Sequence, residues 1–410
     1  MSRKSVYFSR RDFMKTAGAV GIGSMLSPIE SISNAQQGSN PNKSPKKVVP
    51  TRPFGKTGVD VSILSLGGAF HYSKLLLMKK ALDMGVTYWD TAPGYGGGQS
   101  EVGIGKYFEK FPEDREKVFL VTKADTSDPS YMTKSLDKSL DRMNTSYIDL
   151  YFLHGIYNPY EADRKIKTWA DDAKRQGKIR LFGFSTHTNM EECLLGAAKL
   201  GWIDGIMFTY NFRIMHTDKM KKAVDECHNA GIGLTAMKTQ ATGWGTSRGS
   251  LDDSEQAFLD QFRKKGLSTG QAKLKAVWDD NRIASICSYM TNMNALTENA
   301  SAAMNNKTLS NRDKDYLKEY ARKTAASYCT GCANVCEPVL DGSVPVSDVM
   351  RYLMYSRCYG ELGRAKAAFN ELPLEVRRRM ANVDYRGAEG KCTQGMRIGR
   401  LMREAAIELA

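Results

Sequence analysis

The chain has 410 residues, a formal net charge of +14, 41% hydrophobic and 25% charged residues. That length is long for one domain and argues for a large domain with a smaller one, and the composition excludes a wholly disordered or collagen-like chain. The basic excess falls in no nucleic-acid-binding motif, so it reads as a basic surface and no nucleic-acid partner is expected.

The first 35 residues read as a targeting segment. Ser9 to Lys15, S-R-R-D-F-M-K, matches the twin-arginine export pattern through Arg10 and Arg11. Thr16 to Leu26 is mildly apolar, rich in Gly and Ala, and too short to span a bilayer as a stable helix. Ser33-Asn34-Ala35 offers a small-residue cleavage site. The segment implies handling by the twin-arginine export machinery and a periplasmic or otherwise exported location, with no stable membrane span. Residues 36–51 are largely polar and read as a disordered linker.

From Arg52 short apolar runs recur. They are Val61 to Leu66, Thr87 to Trp89, Val118 to Thr122, Ile148 to Leu153, Ile179 to Phe184, Ile203 to Phe208, Ile232 to Met237 and Ile283 to Ser288. Stretches long enough for a helix separate them. Near-continuous apolar strands alternating with helices predict a parallel sheet buried on both faces. Eight such units predict an α/β fold, a (β/α)8 TIM barrel over residues 52–306. A doubly wound sheet is the alternative, but no G-x-G-x-x-G follows the first strand. Beyond Asn299 the pattern changes. Asp313 to Tyr328, Val346 to Arg357, Glu361 to Asn370 and Met396 to Glu408 predict helices, placing a small helical cysteine-bearing domain at 307–410.

The stretch Thr87 to Phe108, T-Y-W-D-T-A-P-G-Y-G-G-G-Q-S-E-V-G-I-G-K-Y-F, organises the barrel. Its strand stops at Asp90, Gly-rich chain carrying Tyr95 follows, and Ser100 is the expected N-cap of the next helix. The C-terminal tips of barrel strands are where chemistry collects. D-T-A-x-x-Y-G followed by S-E-x-x-I-G resembles the signature of the aldo-keto reductase family. Two further strand ends match it, V-F-L-V-T-K at Lys123 and I-D-L-Y-F-L-H at His154, and the likeness runs from about Arg52 to Asn299.

The resemblance implies a catalytic tetrad of Asp90, Tyr95, Lys123 and His154. Reduction of a carbonyl by hydride leaves negative charge on oxygen, so a proton donor is needed within hydrogen-bond reach. Tyr95 is that donor, and the Lys123 ammonium is expected to lower its pKa. Asp90 holds Lys123 charged, and His154 orients or polarises the substrate carbonyl. The resemblance also implies NAD or NADP, with Ser185, Tyr210, Asn211, Lys238, Glu298 and Asn299 as cofactor-binding residues and Tyr210 stacking on the nicotinamide. The pattern is only partly kept. Thr186 stands where the family has asparagine and Met207 where it has glutamine, while Tyr289 and Thr291 replace a glycine and a basic residue at the eighth strand. The missing basic residue weakens the case for NADP, because it would meet the 2′-phosphate.

Cys329, Cys332 and Cys336 form a tight C-x2-C-x3-C group, with Cys392 in a later A-E-G-K-C segment. The tail resembles a reduced form of the ferredoxin-like extension that some family members carry. That implies one four-cysteine metal site at Cys329, Cys332, Cys336 and Cys392, holding a single [4Fe–4S] cluster, with zinc, disulfides or free thiols as the alternatives. Cys358 is a rival fourth ligand, while Cys193, Cys227 and Cys287 read as buried thiols in the barrel. The sequence as a whole predicts an exported oxidoreductase that moves hydride between nicotinamide and a small-molecule carbonyl or alcohol, a sugar among them. Two other classes stay open: an electron-transfer protein using the barrel as scaffold for a redox partner, and a catalytically silent binding protein.

Overall fold

A computed structural model describes residues 47–68, 72, 74–243, 260–340 and 344–410. The expected signal segment with Arg10 and Arg11, and the linker up to residue 46, lie outside the described residues. A two-stranded antiparallel hairpin, β1 (Thr51–Pro53) and β2 (Asp60–Ser62), precedes the barrel. Phe54 at its turn is fully buried and packs against Tyr88 and Phe119 inside the strand ring. The Arg52 guanidinium donates to the Trp278 carbonyl at 2.6 Å and the Ile283 carbonyl at 2.8 Å, which ties the hairpin to the approach to the last strand.

Eight parallel strands then close into a barrel. They are β3 (Leu64–Gly67), β4 (Tyr88–Asp90), β5 (Phe119–Ala124), β6 (Ile148–Leu153), β7 (Ile179–Thr186), β8 (Gly205–Thr209), β9 (Gly233–Met237) and β10 (Ser285–Tyr289). Each pairs with its neighbour in sequence, and β10 pairs back to β3, as in Ile286 beside Leu64. All eight expected apolar runs contribute strands of this barrel, with end shifts of at most two residues except in the first, where Val61 and Ser62 belong to the hairpin strand β2 and the barrel strand starts at Leu64. Side chains alternate between two cores because the strand period is two. Val121, Leu150, Phe152 and Met207 fill the interior. Leu120, Tyr151, Phe208 and Tyr210 face the helices.

The helices that return the chain start where side chains accept the free amide protons of their first turns. Asp128 caps Pro129–Arg142, Asp163 caps Arg164–Arg175, Thr217 caps Asp218–Ala230 and Asn292 caps Met293–Met304. The helix after β4 departs from expectation. It spans Gln99–Lys110 and is capped by Gly98 at φ 91°, a left-handed backbone that favours glycine. Ser100 is instead inside the helix, where its hydroxyl bonds the Gly68 carbonyl at 2.8 Å and Thr91 at 2.7 Å.

The tail is helical: Asn311–Lys323, Ala333–Cys336, Val346–Arg357, Leu362–Asn370, Leu374–Arg379, Arg386–Lys391 and Ile398–Glu408. Leu309, Leu317, Tyr320 and Tyr328 share a cluster with Phe212, Phe262 and Ala272, so the first of these helices packs on the flank of the barrel. A separate core begins at Cys336 and gathers Leu353, Phe369, Met380 and Met402. This part docks on loops at the C-terminal mouth of the barrel. Asn189 N–H donates to the Gly331 carbonyl at 2.8 Å, Asn211 donates to the Tyr328 hydroxyl at 3.0 Å, and the Tyr157 hydroxyl donates to Asp348 at 2.5 Å. Gly331 has φ +80°, and a Cβ there would stand 2.4 Å from the His187 carbonyl, so the close approach needs glycine. Among the described residues no helix is long and apolar enough to cross a membrane.

Candidate active site

Asp90 ends β4 and Lys123 lies one residue before the end of β5, so adjacent strands bring them together inside the ring. The Lys123 ammonium lies 2.5 Å from Asp90 Oδ1 and 2.6 Å from the Thr91 carbonyl. Burial works against this ammonium, but Asp90 and Tyr95 outweigh it and hold its pKa above the ordinary lysine value. Burial pushes the Asp90 carboxyl upward, and Lys123 only partly offsets that. The turn Tyr95–Gly98 runs through left-handed Gly96 and Gly97 and sets the Tyr95 ring over this pair, with its centroid 5.0 Å from the Lys123 nitrogen. His154, just past β6, meets Tyr95 edge to face at 5.8 Å. The four residues named from the sequence therefore stand together at the strand tips.

One electrostatic expectation needs correction. Burial pushes the Tyr95 phenol up to about 12, and the neighbouring Lys123 lowers it by less than burial raises it. Tyr95 is thus a protonated donor at neutral pH. Asp125, which the sequence did not single out, pairs with His154 Nδ1 and orients its ring. Burial works to raise the Asp125 carboxyl, but the hydrogen bond and charge of His154 hold it below the ordinary carboxylate value.

Asp90 and Tyr95 open onto a cleft of about 1380 Å³, counting its solvent-open mouth. Three of the expected cofactor residues line it: Lys238, Glu298 and Asn299. Glu298 bonds Ser268, and Asn299 donates to the Ser288 hydroxyl at 3.0 Å. The other three do not line it. Ser185 is buried and accepts from the Gly155 amide at 2.9 Å, so it braces the loop after β6. Tyr210 has the outward parity of Phe208, and its hydroxyl donates to Asp280 at 2.6 Å, which removes it from any stacking role in the cleft. Asn211 is fully buried and joins the Lys238 carbonyl to Tyr328 of the tail. Met207 and Met237 present apolar surface to the cleft instead.

The cleft and its polar residues at the Glu298 end are compatible with a dinucleotide. At β10, Tyr289 borders the cleft, and the Lys74 ammonium lies 2.9 Å from the Thr291 carbonyl, so a cation stands beside the position where a basic residue is missing. The opposite wall comes from the tail, through Tyr355, Tyr359, Glu361 and Arg364. Helical periodicity around these residues gives no sign of where the tail packs, so the sequence could not reveal them.

The tail holds a second feature. Cys329, Cys332, Cys336 and Cys392 line one pocket of about 370 Å³, counting the space open to solvent, walled by Val335, Val346, Met350 and Ile398. Cys358 is not part of its lining. All eight cysteines are free thiols in the structure, so no disulfide joins any of the four. Among the described residues no group of three or more His, Cys, Asp and Glu side chains is gathered closely enough to hold a metal ion. A preformed tetrahedral zinc site is therefore not present.

Known proteins supply the context. The model of the Aldo/keto reductase family matches residues 70–321, more than half of the chain. The L-glyceraldehyde 3-phosphate reductase of Escherichia coli K12 is 25% identical over 65% of this chain and 90% of its own length. An uncharacterized oxidoreductase, YqkF of Bacillus subtilis, is 32% identical over 33% of this chain and 48% of its own. The 6-dehydroglucose reductase of Novosphingobium aromaticivorans is 31% identical over 33% of this chain and 51% of its own. Among solved structures, the holo form of the aldo-keto reductase AKR11C1 from Bacillus halodurans aligns with a TM-score of 0.55 at 21% identity, covering 66% of this chain and 96% of that one. The family match ends before Cys329, so the tail that walls the cleft lies beyond it. The chain belongs to the aldo/keto reductase family and is an oxidoreductase of that type.

Proposed function

We propose that the protein interconverts a carbonyl and an alcohol on a small, sugar-like substrate, with Tyr95 as the proton donor to the carbonyl oxygen. The observation that carries this reading is the convergence of Asp90, Tyr95, Lys123 and His154 at one end of the barrel, on a cleft open to solvent. Sugar-type carbonyls are favoured because two relatives are named as reductases of such compounds. When bound, NAD or NADP supplies or accepts the hydride. Glu298 and Asn299, which line the cleft, would hold its adenosine end, and Lys238 borders the same cleft.

The protein's own groups do the rest. Tyr95 keeps its proton at neutral pH and releases it as negative charge develops on the substrate oxygen. The fixed Lys123 ammonium stabilises the phenolate left behind, and Asp90 keeps that ammonium in place. His154, oriented by Asp125, stands edge-on beside the Tyr95 ring, where it can position the carbonyl. In the tail, Cys329, Cys332, Cys336 and Cys392, which line one pocket, would hold one [4Fe–4S] cluster through four thiolates. The cluster would supply one-electron redox capacity beside the barrel. Export through the twin-arginine route fits this proposal, since that route carries folded, cofactor-loaded proteins.

The test is anaerobic purification followed by nucleotide extraction, a visible spectrum, and iron and sulfide analysis. Bound NAD(H) or NADP(H) with NAD(P)H-dependent aldehyde reduction supports the barrel reading. Four irons with sulfide support the cluster. Protein that takes no nucleotide and turns over no aldehyde would sink the enzymatic reading, and protein without iron would sink the cluster.

A further inference from the structure

The tail does more than cover the barrel, because it brings positive charge into the cleft. Lys238 follows β9 in a left-handed backbone, φ 56°, which a lysine rarely adopts and which sites under functional constraint retain. Its ammonium stands 2.9 Å from His187 Nδ1 and 5.4 Å from the centre of the Tyr355 ring. It therefore stands beside the tail. Arg364, from the tail helix Leu362–Asn370, lies 4.2 Å from the centre of the same ring. Arg351, on the same helix as Tyr355, also acts on the phenol.

The carboxylates nearby are already committed. Asp348 pairs with Arg351 at 2.6 Å, and Glu361 pairs with Arg364 at 2.9 Å. Lys238 has no carboxylate partner among the described residues. Its other neighbour is no counter-ion: burial and the charge of Lys238 hold His187 well below its usual pKa, so its imidazole is neutral. Arg364 uses Nη1 on Glu361, and its charge reaches Tyr95 as well as Tyr355. Burial, with Arg351 and Arg364, lowers the Lys238 ammonium to about 8 while the Tyr355 phenol works the other way, so Lys238 faces the same cleft as the proton donor with Tyr355 in place of a carboxylate. Buried charge without a partner is costly, and a ligand that brings the missing anion removes that cost.

The geometry points to a carboxylate-bearing carbonyl or hydroxy compound as the substrate, its carboxylate seated between Lys238 and Arg364 and its reacting carbon at Tyr95. This deepens the proposed function and rests on it only for the position of the reacting carbon. The Tyr355 phenol serves as the stand-in anion when the site is empty. Burial opposes its ionisation, but Lys238, Arg351 and Arg364 outweigh burial and bring it to about 7. A bound carboxylate takes over that role, so Tyr355 recovers its proton.

The test is calorimetric titration of the full chain with malonate, a compact dicarboxylate that does not react, in the presence of saturating NAD or NADP. Saturable binding is expected, at least tenfold weaker in Arg364→Gln and in Lys238→Met. It should be unchanged in Arg357→Gln, whose guanidinium pairs with Glu404 and Glu408 in the tail core. The ultraviolet tyrosinate band of the free protein should shrink on binding and be absent in Tyr355→Phe. Because binding is read without turnover, failure here is separable from failure of the Tyr95 mechanism. No saturable malonate binding overturns the inference, as does equal binding by Arg364→Gln. Binding seen without nucleotide but abolished by it assigns the charges to the cofactor's diphosphate and overturns it too. Tighter binding of inorganic phosphate in a parallel titration replaces the carboxylate with a phosphate ester and overturns the stated class.

Discussion

Replacing Lys123 with methionine keeps most of the side-chain volume and removes its charge. The ammonium is 1% exposed and is the donor to both the Asp90 carboxylate and the Thr91 carbonyl, at 2.5 and 2.6 Å. Methionine leaves both acceptors without that donor. Breaking a buried ion pair from one side costs about 3–5 kcal/mol, because the remaining charge stays desolvated. Asp90 has one escape, which is to take up a proton. Burial already raises its pKa, and loss of the ammonium raises it further. A carboxyl with a folded pKa above its unfolded value contributes stability at low pH, and that contribution disappears as pH rises through the folded value. The deficit of Lys123→Met therefore grows as pH rises from the ordinary carboxylate range through neutral. Urea unfolding followed by circular dichroism measures it at both ends. The double variant Asp90→Asn, Lys123→Met should recover part of the loss, since the two changes share one interaction. A single variant within about 0.5 kcal/mol of the parent at neutral pH, in the range of an ordinary surface change, would refute the coupling described here.

Gly331→Ala places a methyl group against the His187 carbonyl in a left-handed backbone, and a loss of about 1–3 kcal/mol is expected in thermal or urea unfolding. Cys329→Ser should abolish iron binding in anaerobically prepared protein while Cys358→Ser keeps it, since only Cys329 lines the cavity; equal iron in both removes the assigned ligand set. Changing Arg10 and Arg11 together to Lys should hold the full-length chain in the cytoplasm, as fractionation would show, and normal export of that variant rules out the twin-arginine reading.

The barrel was legible because each strand is a nearly continuous apolar run and each carries its chemistry at its end. Asp90, Lys123 and His154 were named from the family resemblance, and the alignment of strand tips in a parallel barrel is what brings them together. Tyr210 was harder. The alternation along β8 sends Met207 inward and Tyr210 outward, and a one-residue change of parity reverses the face. The pKa of Tyr95 was misjudged because a sequence shows the neighbouring lysine but not the burial that outweighs it. The cap at Gly98 was missed because Ser100 is the stronger local signal, although its hydroxyl is drawn into tertiary bonds with Gly68 and Thr91. Tyr355 and Arg364 belong to helices whose pattern shows an apolar face but not what that face covers. Cys329, Cys332 and Cys336 were grouped by their spacing within eight residues, and Cys392 was joined to them through the resemblance of the tail to a ferredoxin-like extension. That Cys392 joins them depends on how the tail helices fold back on one another.

The most direct test of the assigned chemistry is Tyr95→Phe, which removes one hydroxyl and keeps the ring beside Lys123 and His154. The measurement is kcat for NAD(P)H-dependent reduction of an aldehyde that the parent turns over, made alongside the nucleotide Kd of the same variant. Loss of a positioned proton donor should lower kcat by about 10² to 10⁴, with the nucleotide Kd unchanged within about twofold because the hydroxyl is not among the residues assigned to hold it. A Tyr95→Phe protein with the parent's kcat would contradict the account.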